Sequence, residues 1–141
     1  MICTFFGRHD ATDEIEQPLR EAIQNVIAQG VTTFYIGHHG HFDGMAYRLV
    51  QEEKKTHPGL DCVVVLSNIN RAADYPDTLY PEGIENTLPR FAIDFRNRYM
   101  LSHADYVITY TQYSFGNAAK YERQAQKMAE KGKIKLISLT I

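Results

Sequence analysis

The sequence predicts an α/β domain in which a mostly parallel, five-stranded sheet carries helices on both faces. Three observations predict it. Short apolar runs alternate with longer stretches whose apolar residues recur every three or four positions, the periods of strand and helix. Cys62-Val63-Val64-Val65-Leu66 is continuously apolar and rich in β-branched residues, the mark of a strand covered on both faces. Glycine-containing turns follow three of the strands, at the edge where a doubly wound sheet binds its ligands.

The elements follow in order. Ile2 to Phe6 is a strand that stops at Gly7. Pro18 suits a first helical position, and Leu19, Ile23, Val26 and Ile27 recur on one face until Gly30 closes the helix. Thr33 to Ile36 is the second strand. A helix from Met45 to Lys55 buries Met45, Leu49 and Val50 and ends at His57-Pro58-Gly59. Asp43 is placed to cap it by accepting backbone N–H bonds. Cys62 to Leu66 is the third strand.

Ser67 to Leu88 breaks the rhythm with Tyr75-Pro76-Asp77 and Tyr80-Pro81-Glu82-Gly83, turn formers with aromatics between them. A structureless segment of this length in a compact domain is usually functional, and the reading is a lid. The third helix runs from about Pro89 to His103, with Phe91, Phe95 and Met100 towards the sheet. Tyr106 to Tyr110 is the fourth strand. Asn117 is expected to cap the fourth helix, which ends at Gly132, and Ile134 to Leu139 is the fifth strand. The expected organisation is one domain over residues 1–141 with a lid-like insertion at about 67–88.

With 141 residues, such a domain buries a real core. The formal net charge is −2, and no basic stripe marks a nucleic-acid partner. The densest basic stretch, Lys127 to Lys135, reads as a solvated helix end that suits the macrodipole. No run approaches the ~20 apolar residues of a membrane span. Met1 to Phe6 reads as a strand and not as a signal peptide. Cys3 and Cys62 fall in expected strands as buried free thiols, so a cytoplasmic location is expected. No cofactor is expected.

The sheet-edge rule selects Gly7-Arg8-His9-Asp10, Gly37 to Gly44, and Gln112-Tyr113-Ser114-Phe115-Gly116-Asn117. The middle turn admits two chemistries. Gly37 and Gly40 let the backbone approach an anion at a helix N-terminus, although no Gly-Lys-Ser/Thr and no Gly-x-Gly-x-x-Gly is present. His39-x-His41-x-Asp43 also has the spacing of a metal-binding hydrolase turn. Against the metal, Gly44 stands at the next ligand position and His9, His57 and His103 are scattered, so no metal site is assigned. His38, His39 and His41 are left as hydrogen-bond donors to a ligand or as solvated side chains.

Arg96-Asn97-Arg98 supplies a second cluster. Arginine grips phosphate or carboxylate through a planar fork, and asparagine can read a sugar hydroxyl or a base edge. Arg96 and Arg98, two apart on a helix, cannot share a face. One is expected to face the crevice and the other solvent.

Arg96-Asn97-Arg98-Tyr99-Met100, then Asp105-Tyr106-Val107-Ile108-Thr109-Tyr110, then Ser114-Phe115-Gly116-Asn117 opening a helix, resembles the DprA/LOG-like (SLOG) Rossmann superfamily. Cys3 to Gly7 with Arg8-His9, Gly37 to Asp43, and Tyr80-Pro81-Glu82-Gly83-Ile84-Glu85 are similar to a group of small bacterial and phage-borne members. The resemblance covers nearly the whole chain. It implies a Rossmann-like fold, a nucleotide-like ligand between the first, second and fourth strand ends, and a homodimer formed through outer helices.

Within that resemblance, the LOG proteins cleave the N-glycosidic bond of nucleoside 5′-monophosphates. They use an arginine, matched by Arg96, and a Pro-Gly-Gly-x-Gly-Thr-x-x-Glu motif. Here Gln112-Tyr113-Ser114 stands at Pro-Gly-Gly, Gly116-Asn117 at Gly-Thr, and Ala119-Lys120 where the glutamate is expected. The leading expectation is therefore a sensing or sequestering domain for a nucleotide or nucleotide-derived small molecule. Gly7, Arg8, Gly37, Gly40, Ser114 and Gly116 would cradle phosphate with Asn117 at the helix start. Arg96 would neutralise it. Asn97, Asp43 or a lid tyrosine would read sugar or base, with His9 and His38 alongside. The alternative is a phosphoribohydrolase with Arg96 and either Glu82 or Glu85 as catalytic groups, since oxocarbenium-like chemistry needs a carboxylate. A metal-dependent hydrolase using His39, His41 and Asp43 is the third reading.

Overall fold

In the computed structural model, which describes residues 1–140, the apolar runs pair into one sheet. Its strands are β1 (Ile2–Gly7), β2 (Thr33–Ile36), β3 (Asp61–Val65), β4 (Thr78–Leu79), β5 (Tyr106–Tyr110) and β6 (Lys135–Leu139). Their spatial order is β4-β3-β2-β1-β5-β6, and every pairing is parallel. The long helices α1 (Glu16–Ala28), α2 (Gly40–Lys54), α3 (Ala92–His103) and α4 (Asn117–Glu130) join successive strands. This is the Rossmann-like α/β architecture, with six strands instead of the expected five.

The chain builds outward from β1 through β2 to β4, then returns to place β5 and β6 on the other side of β1. Side chains alternate across a strand, so Phe5 and Phe6 fall on opposite faces. Phe5 joins a core with Leu19, Ile23 and Val26 of α1 and Met45 and Leu49 of α2. Phe6 joins a second core with Met100 and Leu101 of α3 and Tyr121 and Ala125 of α4. The direction of winding reverses between β1 and β5, which opens a crevice beyond their carboxyl ends.

The sixth strand lies in the segment expected to be structureless. Residues 67–88 fold as 3-10 turns at Ile69–Asp74 and Ile84–Asn86 around β4. Thr78 and Leu79 pair with Val64 and Val65, and the Val64 and Leu66 N–H groups donate to Asp77 and Leu79 carbonyls at 3.0 and 2.8 Å. Two residues carry no period, so the strand is invisible locally; it exists because the edge of β3 needs backbone partners.

Three helix details also differ. Helix α2 starts at Gly40 and not at Met45, and Gly40 itself has φ +89°, a left-handed turn conformation at the helix start that favours glycine. Gly116 and not Asn117 occupies the cap position of α4, at φ +94°, and no side chain bonds the cap. Phe91 precedes α3 and stays exposed, whereas Met100 is buried as expected. Cys3 and Cys62 are buried free thiols whose pKa values burial raises, that of Cys62 to about 12. Among the described residues, no helix is long and apolar enough to cross a membrane.

Candidate functional site

A cavity of about 490 Å³ lies over the carboxyl ends of β1 and β5. Phe5, Phe6, Gly7, Arg8 and His9 come to it from β1 and its turn, and His39 and Asp43 from the start of α2. Ile93, Arg96, Asn97 and Met100 of α3 form another wall, and Tyr113 with Phe115, Gly116, Asn117 and Ala118 a third. Three turns distant in sequence thus meet at the point where the winding reverses.

Arg96 is the central charge. It is only 2 % exposed. Its Nε donates to Asn97 Oδ1 at 2.8 Å and its Nη1 to the Val65 carbonyl at 3.2 Å. Among the described residues no acceptor takes Nη2, and Arg96 forms no ion pair. Helical spacing turns Arg98 outward, where its side chain is 59 % exposed and lies near Asp94. The division of labour between the two arginines is the one expected.

Asp43 stands beside Arg96. It sits in the first turn of α2 and reaches back to accept the His39 N–H at 3.0 Å, so it caps the helix from inside instead of from the cap position. The carboxyl is half-buried at the cavity wall and closely surrounded by protein. Burial lifts its pKa to about 6, and this outweighs the opposing pull of Arg96. A carboxylate of this kind in a crevice is a functional-site signal.

The glycines serve the protein's own packing. A Cβ on Gly37 would lie 2.7 Å from Arg96 Nη1 and 2.8 Å from Asp43 Oδ2, so its hydrogen makes room for that pair. A Cβ on Gly40 would lie 2.3 Å from the His9 Cα, and the next N–H, of His41, donates to the His9 carbonyl at 2.7 Å. A Cβ on Gly7 would lie 2.2 Å from the buried Phe42 ring. Gly37 and Gly40 do not line the cavity, whereas Gly7 does.

The histidines diverge. His38 is buried; its Nε2 accepts the Ser67 N–H at 3.0 Å, and burial, then Arg96, lowers its pKa to about 4. It is a neutral structural acceptor outside the cavity wall. His39 lines the cavity, with Nε2 2.9 Å from Ser67 Oγ, and partial desolvation lowers its pKa. His41 turns outward to Asp13, 2.7 Å away. The third reading therefore loses its ligand set, since His39, His41 and Asp43 do not converge. Among the described residues no group of three or more His, Cys, Asp or Glu side chains is arranged to hold a metal ion.

The turn after β5 supplies an open helix end. Gly116, Asn117 and Ala118 line the cavity, no side chain caps α4, and its first turn carries no acid. Its first N–H groups therefore keep their capacity to meet an anion. Ser114 lies outside the wall, and its carbonyl accepts from Arg123 Nη1 at 2.8 Å. Arg8 is held by both carboxylate oxygens of Asp10, at 2.8 and 2.7 Å, and its guanidinium lies 4.0 Å over the Tyr113 ring. Tyr113 stacks on Phe115 with centroids 5.1 Å apart, and both rings are exposed.

The carboxylates proposed for the lid are elsewhere. Glu82 and Glu85 are exposed on the turn after β4, and among the described residues none of 67–88 forms part of the cavity wall. That segment pairs with the sheet edge through β4, and its Ser67 hydroxyl lies 2.9 Å from His39 Nε2 of the cavity wall. Lys120, where the resemblance would place a glutamate, pairs with Asp94 at 2.9 Å. Glu122 is held by Thr109, Thr111 and Ser138 on β5, the following residue and β6. Sequence reasoning missed the apolar walls, Ile93 and Met100, and gave Tyr113 and Phe115 no role. Two aromatics flanking Ser114 in an otherwise polar turn were the available signal.

No protein-family model and no curated protein matches this chain.

Proposed function

We propose that the protein binds a nucleotide or nucleotide-derived small molecule in the crevice beyond β1 and β5, as a sensing or sequestering domain of the SLOG type. The observation that carries the reading is Arg96. A guanidinium is expensive to bury without a direct ion pair, and this one is buried at a ligand-sized cavity with no ion pair among the described residues and with Nη2 free. The open N-terminus of α4 adds a second attraction for an anion. The exposed Tyr113–Phe115 pair offers a stacking surface for a base, and Asn97, 7 % exposed and bonded to Arg96, keeps that guanidinium oriented.

Calorimetric titration with a panel of nucleoside 5′-monophosphates tests this. At least one should bind, and Arg96→Ala should weaken it by ~1.5–3 kcal/mol, the worth of a charged hydrogen bond. Unchanged affinity removes Arg96 from the site. Because Arg96 also holds the Val65 carbonyl, thermal unfolding of the variant is measured alongside.

A second reading, cleavage of the N-glycosidic bond, is favoured by one observation. The cavity does contain a carboxyl, that of Asp43, with a pKa raised as a proton donor to a leaving base would need. Incubating each nucleotide with the protein and measuring free base decides it. Release that Asp43→Asn abolishes while binding persists supports cleavage; no base from any bound nucleotide rules it out.

A further inference from the structure

The cavity holds two arginines in different states of charge balance. Arg8 is neutralised by a two-point pair with Asp10. Arg96 is deeply buried, has no ion pair among the described residues, and leaves Nη2 without an acceptor. Asp43, the nearest acid, faces it across the space that a Gly37 side chain would fill, yet one carboxylate oxygen is spent on the His39 N–H.

We propose that the ligand's anionic group docks on Arg96 beside Asp43, and that Asp43 takes up a proton as it does. The ligand chemistry is a phosphoryl-type group, a tetrahedral anion able to meet a guanidinium edge. This deepens the nucleotide-binding reading and rests on it. The physical argument is that two negative charges flanking one guanidinium in a partly dry crevice repel, and the one that can accept a proton does so. Asp43 is already poised for this: burial has brought its carboxyl to about 6, so neutralising it near neutral pH is easy. An anion at the N-terminus of α4 instead would leave Asp43 untouched.

The titratable groups of the cavity wall come from four places in the fold. Arg96 comes from α3, His39 from the start of α2, Arg8 and His9 from the turn after β1, and Tyr113 from the turn after β5. Arg96 and Arg8 stay charged throughout, and His39 is held towards its neutral form. Asp10 and Asp13 are engaged by Arg8 and His41. Asp43 is the acid of this wall.

The test follows the Asp43 carboxyl carbon by NMR from pH 4 to 9, free and with saturating inorganic sulfate, whose charge is constant in that range. Its midpoint should lie near 6 without ligand and rise by at least about one unit with sulfate, the change that makes sulfate bind about tenfold more weakly at pH 8 than at pH 5. Adenosine 5′-monophosphate should raise it likewise. Asp43→Asn should bind sulfate more tightly than the native protein at pH 8. A midpoint that stays or falls on adding sulfate, or weaker binding by Asp43→Asn at pH 8, overturns the proposal while nucleotide binding stands. Native protein that binds neither sulfate nor any nucleotide at any pH overturns both.

Discussion

Replacing Asp43 by asparagine should stabilise the ligand-free protein by an amount that grows with pH. Burial raises the carboxyl from the ordinary carboxylate range to about 6, so ionising it costs more in the folded than in the unfolded chain. A group raised in this way contributes fully below its unfolded pKa, and the contribution is lost as pH rises through 6. One pKa unit corresponds to ~1.4 kcal/mol. Against an unfolded value near 3.9, ionised Asp43 therefore costs ~0.5 kcal/mol at pH 4, ~1.5 kcal/mol at pH 5 and ~3 kcal/mol at pH 8.

Asparagine imitates the protonated carboxyl. Its oxygen keeps an acceptor for the His39 N–H, now bonded at 3.0 Å, and it carries no charge. Urea unfolding of both proteins should give nearly equal stabilities at pH 4 and a gap of ~3 kcal/mol in favour of the variant at pH 8. Other titrating groups are common to both chains and cancel. A gap independent of pH, or a variant less stable at pH 8, would refute the reasoning. It would mean that Arg96 favours the ionised carboxylate by more than burial penalises it.

Other perturbations read other parts of the structure. His38 is depressed to about 4 by burial, so its neutral form contributes stability above about 6.5 that is lost as pH falls towards 4. His38→Gln keeps an acceptor for the Ser67 N–H and removes the titration; melting temperatures at pH 7 and 4.5 should differ less for it than for the native protein. Gly7→Ala puts a methyl 2.2 Å from the fully buried Phe42 ring and should cost ~1–3 kcal/mol in urea unfolding, as overpacked cores do. Tyr113→Ala should weaken nucleotide binding by ~1–3 kcal/mol through lost stacking. The same variant should leave sulfate affinity unchanged in calorimetry, and an equal loss for both ligands would place Tyr113 on the anion instead of the base.

The parts of this protein legible in the sequence are those set by local period and local sterics. β1, β2, β3, β5 and β6 each carry enough apolar residues to show their burial, and α1 declares itself through Leu19, Ile23 and Val26 on one face. Parallel winding follows from the alternation, and with it the edge where ligands bind. Helical geometry alone separates Arg96 from Arg98. Tertiary structure decided everything that depends on which neighbour arrives. The two residues of β4 have no period, and only the unpaired edge of β3 makes them a strand. The missing side chains of Gly37 and Gly40 say that something approaches closely without saying what. The answers are Arg96 with Asp43, and the His9 backbone. Glu82 and Glu85 have the right chemistry, but both are exposed and neither lines the cavity. Asp43 has a raised pKa because residues distant in sequence desolvate it, and no spacing around position 43 records that.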